Sequence, residues 1–211
     1  LSKTSSIIVP DKLPREFYLQ DTVTVARALL GCVLSRRLGR EVLAARIIEV
    51  EAYLGANDAA SHARRGLRSE RNQSMYLEGG HAYVYLSYGM HWCLNVVCQE
   101  ADIAEAVLIR AALPLKGLES MRKRRPKAKN DFELMNGPGK VCAALAVDKL
   151  CDGEPLDGDR LWITSRDVDV PEDDIAVSKR IGVENSGDAA HWPLRFFLHG
   201  NRYVSAYRYV R

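Results

Sequence analysis

Polar and apolar side chains alternate most clearly along Arg46-Ile47-Ile48-Glu49-Val50-Glu51-Ala52-Tyr53-Leu54-Gly55. A period of two is that of a β-strand, whose successive side chains point to opposite faces. Glu49, Glu51 and Tyr53 then look one way, and Ile48, Val50 and Ala52 the other. A carboxylate and an aromatic ring stand roughly 7 Å apart on one face. That pair suits a pocket that holds a flat ring and activates water beside it. A half-buried edge strand with a solvated acidic face fits the same pattern and has no function.

The rest of the chain divides into short elements. Asp21 is placed to cap a helix from Thr22 to Leu30, with Gly31 just past its end. Cys32 to Arg37 and Val42 to Tyr53 read as strands joined by Leu38-Gly39-Arg40. Asn57 to Gln73 is a polar, arginine-rich loop with a short helical piece. Gly79-Gly80 precedes a strand from Ala82 to Ser87, and Tyr88-Gly89-Met90 precedes another from His91 to Cys98. Ala106 to Leu113 is a further strand. Leu118 to Arg125 is helical and stops before Pro126. Gly137-Pro138-Gly139-Lys140 opens a helix to about Val147, with proline near its first turn. Leu161 to Thr164 and Leu194 to Leu198 are short strands, Glu172 to Arg180 is expected as helix, and Tyr203 to Val210 as the last strand. Short turns between strands predict antiparallel pairing. The expected fold is mixed α+β, with a curved, largely antiparallel sheet surrounded by helices. One domain over 1–211 is expected, with 1–13 as a flexible lead. Nothing suggests a doubly wound dinucleotide fold.

Composition narrows the class. The chain has 211 residues, of which 47% are hydrophobic, enough for a packed core. No apolar run approaches the ~18 residues of a membrane span. Leu1–Pro10 lack a basic stretch followed by an apolar one, so no secretory signal is expected there. Five cysteines (Cys32, Cys93, Cys98, Cys142 and Cys151), with no Cys-x-x-Cys, argue against a disulfide framework or zinc knuckle and suit a reducing compartment. Net charge is only +3, but its distribution is uneven. Arg122, Lys123, Arg124, Arg125, Lys127 and Lys129 form one basic cluster, and Arg64, Arg65, Arg68 and Arg71 another. Acidic residues gather at 152–159 and 167–174. Either basic cluster alone also fits a solvated surface; two of them near aromatic strands favour nucleic acid.

Three further patterns bear on chemistry. If the loop after Ser87 has three residues, Ser87 opposes His91 and Tyr85 opposes Cys93, and Tyr85 and Asn95 share a face; a two-residue loop would separate them. Tyr88 and Met90 at the tip are apolar groups with no core to enter, able to wedge into a base stack or to pack on a neighbour. Arg110, between Ile109 and Ala111, needs an anionic partner. Glu51 is a candidate, and the pairing would keep that carboxylate ionised. Gly137-Pro138-Gly139-Lys140 offers amide N–H groups and a lysine to a phosphate, without the spacing of a P-loop. Asp58, His62 and His91 lack the spacing of a metal site, so neither metal nor cofactor is expected. No Gly-x-Ser-x-Gly elbow is present.

Glu-Val-Glu-Ala-Tyr-Leu-Gly at 49–55, His62, Arg71-Asn72, Tyr-Val-Tyr at 83–85, Tyr-Gly-Met at 88–90, Asn95, Arg110 and Gly-Pro-Gly-Lys at 137–140 resemble the alkyladenine DNA glycosylase family. These are the vertebrate-type 3-methyladenine DNA glycosylases, also found in bacteria. Arg180-Ile181-Gly182 and Pro193-Leu194-Arg195-Phe196 fit too, so the resemblance runs from about Pro14 to Val204. It implies a single mixed α/β domain without a helix-hairpin-helix. It implies a monomeric, monofunctional base-excision repair hydrolase that flips alkylated or deaminated purines from duplex DNA and cuts their N-glycosidic bond. The compartment implied is a bacterial cytoplasm or a nucleus.

By this resemblance Glu51 is the general base, and Arg110 and the carbonyl of Ile181 help hold the water. Tyr53, His62 and Tyr85 enclose the base, and Asn95 crowds the exocyclic amine of guanine. Tyr88, with Met90 beside it, fills the gap in the duplex. Gly137, Gly139, Lys140, Lys149, Arg68 and Ser69 meet phosphate. The chain departs from the vertebrate pattern at Ser69 (threonine there), at His91-Trp92, and in the loop after His62, which lacks a second glycine. Two rival readings stand beside this one. One is a nucleic-acid-binding module without catalysis, in which Glu51 is a structural partner of Arg110. The other is a bifunctional glycosylase with Lys140 as amine nucleophile.

Overall fold

The computed structural model describes residues 11–205. Eight strands form one open sheet: β1 (Cys32–Leu38), β2 (Glu41–Tyr53), β3 (Ala82–Ser87), β4 (His91–Cys98), β5 (Glu105–Lys116), β6 (Leu161–Arg166), β7 (Ile175–Ser178) and β8 (Arg195–Leu198). The order is β3-β4-β5-β2-β1-β6, with β8 added to β2 and β7 to β8. Every strand pairing is antiparallel. The helices are short: α1 (Arg15–Tyr18), α2 (Thr22–Leu29), α3 (Leu118–Arg124), α4 (Phe132–Met135) and α5 (Pro138–Leu145). Nothing among the described residues forms a helix-hairpin-helix, and no helix there is long and apolar enough to cross a membrane. Asp21 caps α2 as its position predicts, accepting from the amides of Val23 and Thr24. Residues 11–13, at the end of the expected lead, are held to β6 by a Lys12–Thr164 bridge and a Leu13 to Ile163 hydrogen bond.

β2 is not an edge strand. β5 runs along one side of it, while the other side is shared by β1 at residues 41–46 and β8 at residues 49–51. At the changeover the β2–β5 register skips Ile48 on one strand and Arg110 on the other. Each is the extra residue of a bulge, which disrupts the ladder and shifts the alternation behind it. Core-facing positions change from Leu43, Ala45 and Ile47 to Val50 and Ala52 on β2, and from Val107 and Ile109 to Ala112 on β5. The expected grouping of Ile48 with Val50 and Ala52 therefore fails, because unbroken alternation was assumed across a bulge.

One face of the sheet packs against α2 and α5 to make the main core, which includes Leu29, Leu34, Ile47, Leu94, Ile109 and Leu145. The opposite face carries a smaller cluster of Tyr83, Val97 and Ala106 under Ala63, Met75 and Tyr76 from the arginine-rich loop. Two expected elements differ. Glu172–Asp174 is a single 3-10 turn, and the residues after it are strand β7 rather than helix, because Ala176 and Val177 pair with Phe197 and Phe196 of β8. Residues 203–205 are not strand, and the remainder of the expected last strand lies outside the described residues. All five cysteines are buried free thiols.

Candidate active site

The registers of four strand pairs place one row of side chains across the sheet. Tyr83 opposes Asn95, Asn95 opposes Leu108, Leu108 opposes Glu51, and Glu51 opposes Arg195. Directly opposed residues share a face, so the row lies on the side away from α2 and α5. The β3–β4 loop has three residues, Ser87 opposes His91, and Tyr85 opposes Cys93, as the hairpin reading required. Tyr88 and Gly89 both take positive φ, 50° and 68°, which throws the tip clear of the sheet. Tyr88 is 86% exposed and Met90 70%.

Above the row opens a cavity of about 610 Å³, within the usual range for small-molecule sites. Tyr53, His62, Tyr85, Asn95, Arg110, Ile181 and the tip residue Tyr88 all line it. These residues come from six separate parts of the chain. Tyr85 stacks on Tyr83 with centroids 5.5 Å apart and meets the His62 ring edge-on at 4.5 Å. The Asn95 amide donates to the Tyr83 carbonyl at 3.1 Å, which fixes it at the floor.

Glu51 lies behind this lining and is fully buried. Its carboxylate accepts from the Ile181 amide at 2.7 Å, the Tyr53 hydroxyl at 2.9 Å and Arg110 Nη1 at 3.2 Å. Burial raises the Glu51 pKa above the usual carboxylate range. Arg110, the Ile181 N–H and the Tyr53 hydroxyl each pull it back. The expected Arg110 partner is therefore present, but desolvation outweighs the ionising effect expected of it. Such a carboxylate is a stronger base than a solvated one.

Sequence reasoning missed the groups that hold Arg110. Glu49 is also fully buried and accepts from Arg110 Nε at 3.2 Å, from Arg195 Nε at 2.7 Å and from the amide and hydroxyl of Ser205. Its place on the Glu51 face was the available signal. The Asp58–Arg180 ion pair was also missed. Both side chains are fully buried. Arg180 lies 4.6 Å over the Tyr53 ring and donates to the carbonyls of Ala52 and Ala189. Asp58, weighed above as a metal ligand, is consumed by Arg180 and by the amides of Leu54 and Ala60. Among the described residues no three His, Cys, Asp or Glu side chains gather into a metal-binding cluster.

His62 Nδ1 lies 2.7 Å from the Tyr83 hydroxyl. Burial, with Arg71 and Arg64 nearby, lowers its pKa to about 4. The ring is therefore neutral near pH 7.

The residues expected at phosphate do not line the cavity. Gly139 abuts the hairpin base: a Cβ there would come within 2.8 Å of the His91 Cβ. This close approach sets the start of α5, with Gly137 and Lys140, beside the tip. Lys140 donates to Asn136 at 2.7 Å. Arg68 pairs with Asp102, the Ser69 amide donates to Asn72, and Lys149 pairs with Asp152. In the basic run 122–129, Arg122 pairs with Asp131 and Arg124 donates to the Ser120 carbonyl.

A fully buried carboxylate behind stacked rings, opening beside an apolar tip, suits a hydrolase that acts on a planar base, as a DNA glycosylase of DNA repair does. The chain belongs to the Methylpurine-DNA glycosylase family, whose profile matches residues 16–202. It is 46% identical over 200 residues to a Bdellovibrio bacteriovorus protein named provisionally as a 3-methyladenine DNA glycosylase, covering 92% of this chain and 98% of that one. A Carboxydothermus hydrogenoformans protein named in the same way is 44% identical over 193 residues, with the same coverage. The mouse protein named DNA-3-methyladenine glycosylase is 43% identical over 206 residues, covering 92% of this chain and 61% of the mouse protein.

Proposed function

We propose that this glycosylase flips alkylated and deaminated purines out of duplex DNA and hydrolyses their N-glycosidic bond with an activated water, leaving an abasic site. The substrates are of the 3-methyladenine, 7-methylguanine, hypoxanthine and ethenoadenine class, and the enzyme acts as a monomer. Glu51 takes a proton from the water and stabilises positive charge developing on the sugar. Arg110 and the Ile181 carbonyl hold that water. Tyr53 and Tyr85 stack on the base, at about 1–3 kcal/mol for a base on an aromatic ring, which offsets part of the cost of flipping.

His62 adds a hydrogen bond. We assign its Nδ1 as acceptor of the Tyr83 hydroxyl proton, so Nε2 carries the N–H that faces the base. Asn95 excludes guanine. Tyr88 fills the gap in the duplex, with Met90 beside it. Gly137, Gly139, Lys140, Lys149, Arg68 and Ser69 contribute phosphate contacts, which supply sequence-independent affinity.

One observation supports this reading above the others. Glu51 is a fully buried acid hydrogen-bonded by Ile181, Tyr53 and Arg110, three residues that line the cavity. Lys140 does not line it, which favours water over an amine as nucleophile. The test is Glu51→Gln on hypoxanthine-containing duplex. Base release should fall at least about a hundredfold while duplex binding survives. Equal turnover by the two proteins would refute the assignment.

A further inference from the structure

Among the described residues, the buried charges behind the cavity pair with one another. Glu49 and Glu51 face Arg110 and Arg195, and Asp58 faces Arg180. Arg71 also lines the cavity, and its hydrogen bond goes to the Leu86 carbonyl at 3.1 Å rather than to a carboxylate. Its guanidinium lies over the Tyr85 ring, 5.9 Å from the centroid. The Tyr53 ring has a cation over it too, but Arg180 there is neutralised by Asp58. The cavity thus has one unbalanced positive charge in its lining.

We infer that Arg71 is a specificity-determining residue whose charge favours neutral purine lesions and disfavours those bearing a fixed positive charge. The inference rests on reading the cavity as the site of the flipped base. A cationic base would meet two penalties. It would be repelled by Arg71, whose exposed position at the cavity rim leaves the repulsion partly screened. It would also gain less from the π-system of Tyr85, which already has the Arg71 guanidinium 5.9 Å from its centroid. A neutral base meets neither. Arg71 acts on His62 in the same sense, since its charge opposes protonation of that ring.

The test compares wild type, Arg71→Gln and Arg71→Lys on two duplexes of identical flanking sequence, one with neutral hypoxanthine and one with cationic 7-methylguanine. Arg71→Gln should raise the ratio of kcat/KM, 7-methylguanine over hypoxanthine, by about two- to fivefold. Arg71→Lys, which keeps the charge, should leave it near the wild-type value. In the same samples, NMR titration of His62 should show its pKa rising in Arg71→Gln and staying low in Arg71→Lys. An unchanged ratio in Arg71→Gln overturns the inference. So does an equal loss on both duplexes with a salt dependence shallower by about one charge, which would make Arg71 a phosphate contact. If wild type releases neither base, the reading of the cavity itself fails and the inference falls with it.

Discussion

Replacing Tyr53 by Phe keeps the ring and removes one hydroxyl, the group that donates to Glu51 Oε2 at 2.9 Å. Glu51 is balanced between burial, which raises its pKa, and three donors that favour its ionised form. A hydrogen bond to a charged group contributes about 1.5–3 kcal/mol, and one pKa unit corresponds to about 1.4 kcal/mol. Losing the hydroxyl should therefore lift the Glu51 pKa by roughly one to two units. A general base works only when ionised. The acid limb of the pH–rate profile should move up by the same interval, with the alkaline plateau little changed. The assay is single-turnover release of hypoxanthine from a duplex across the acid and neutral range. An acid limb that stays in place, or moves down, refutes the reasoning. A uniform loss at every pH would mean that the hydroxyl acts other than by tuning the carboxylate.

Protonating His62 opposes folding. Its folded-state pKa is held to about 4, below 6.5 for the free ring, so stability is lost as pH falls from 6.5 toward 4. The loss is at most about 3 kcal/mol; His62→Gln should flatten that part of a urea-derived stability–pH curve, and an identical curve would count against a neutral buried ring. Asp58→Asn leaves Arg180 buried and unpaired and should cost about 3–5 kcal/mol, read from the denaturation midpoint; a loss under about 1 kcal/mol would contradict the burial described. Tyr88→Ala removes an exposed side chain, so stability should stay within about 0.5 kcal/mol while base release from duplex falls and release from single strands does not. Equal losses on both substrates would exclude a gap-filling role.

Local chemistry made much of the fold legible. Two-residue alternation located β2, β3 and β4. The length of the Tyr88-Gly89-Met90 loop set the hairpin register and so brought Tyr85 and Asn95 to one face. Asp21 marked the start of α2. What stayed hidden depends on residues far apart in the chain. The Asp58–Arg180 pair spans 122 residues and the Glu49–Ser205 contact 156. The segment after Glu172 has a helix-like composition, but β8 offers it a strand partner, and pairing overrides propensity. The bulges at Ile48 and Arg110 belong to the match between two strands, so neither strand announces its own.

Those paired bulges make β2 and β5 each two half-strands out of phase with one another. Glu51 reaches the ring-lined side only because Ile48 resets the count, and Arg110 stands at the reset in the facing strand. Losing a single codon there would turn the acid toward the oily layer and an aliphatic neighbour toward the water. Side chains around the cavity can therefore be exchanged during evolution one at a time, while the number of residues between Ile47 and Val50, and between Ile109 and Ala112, cannot drift.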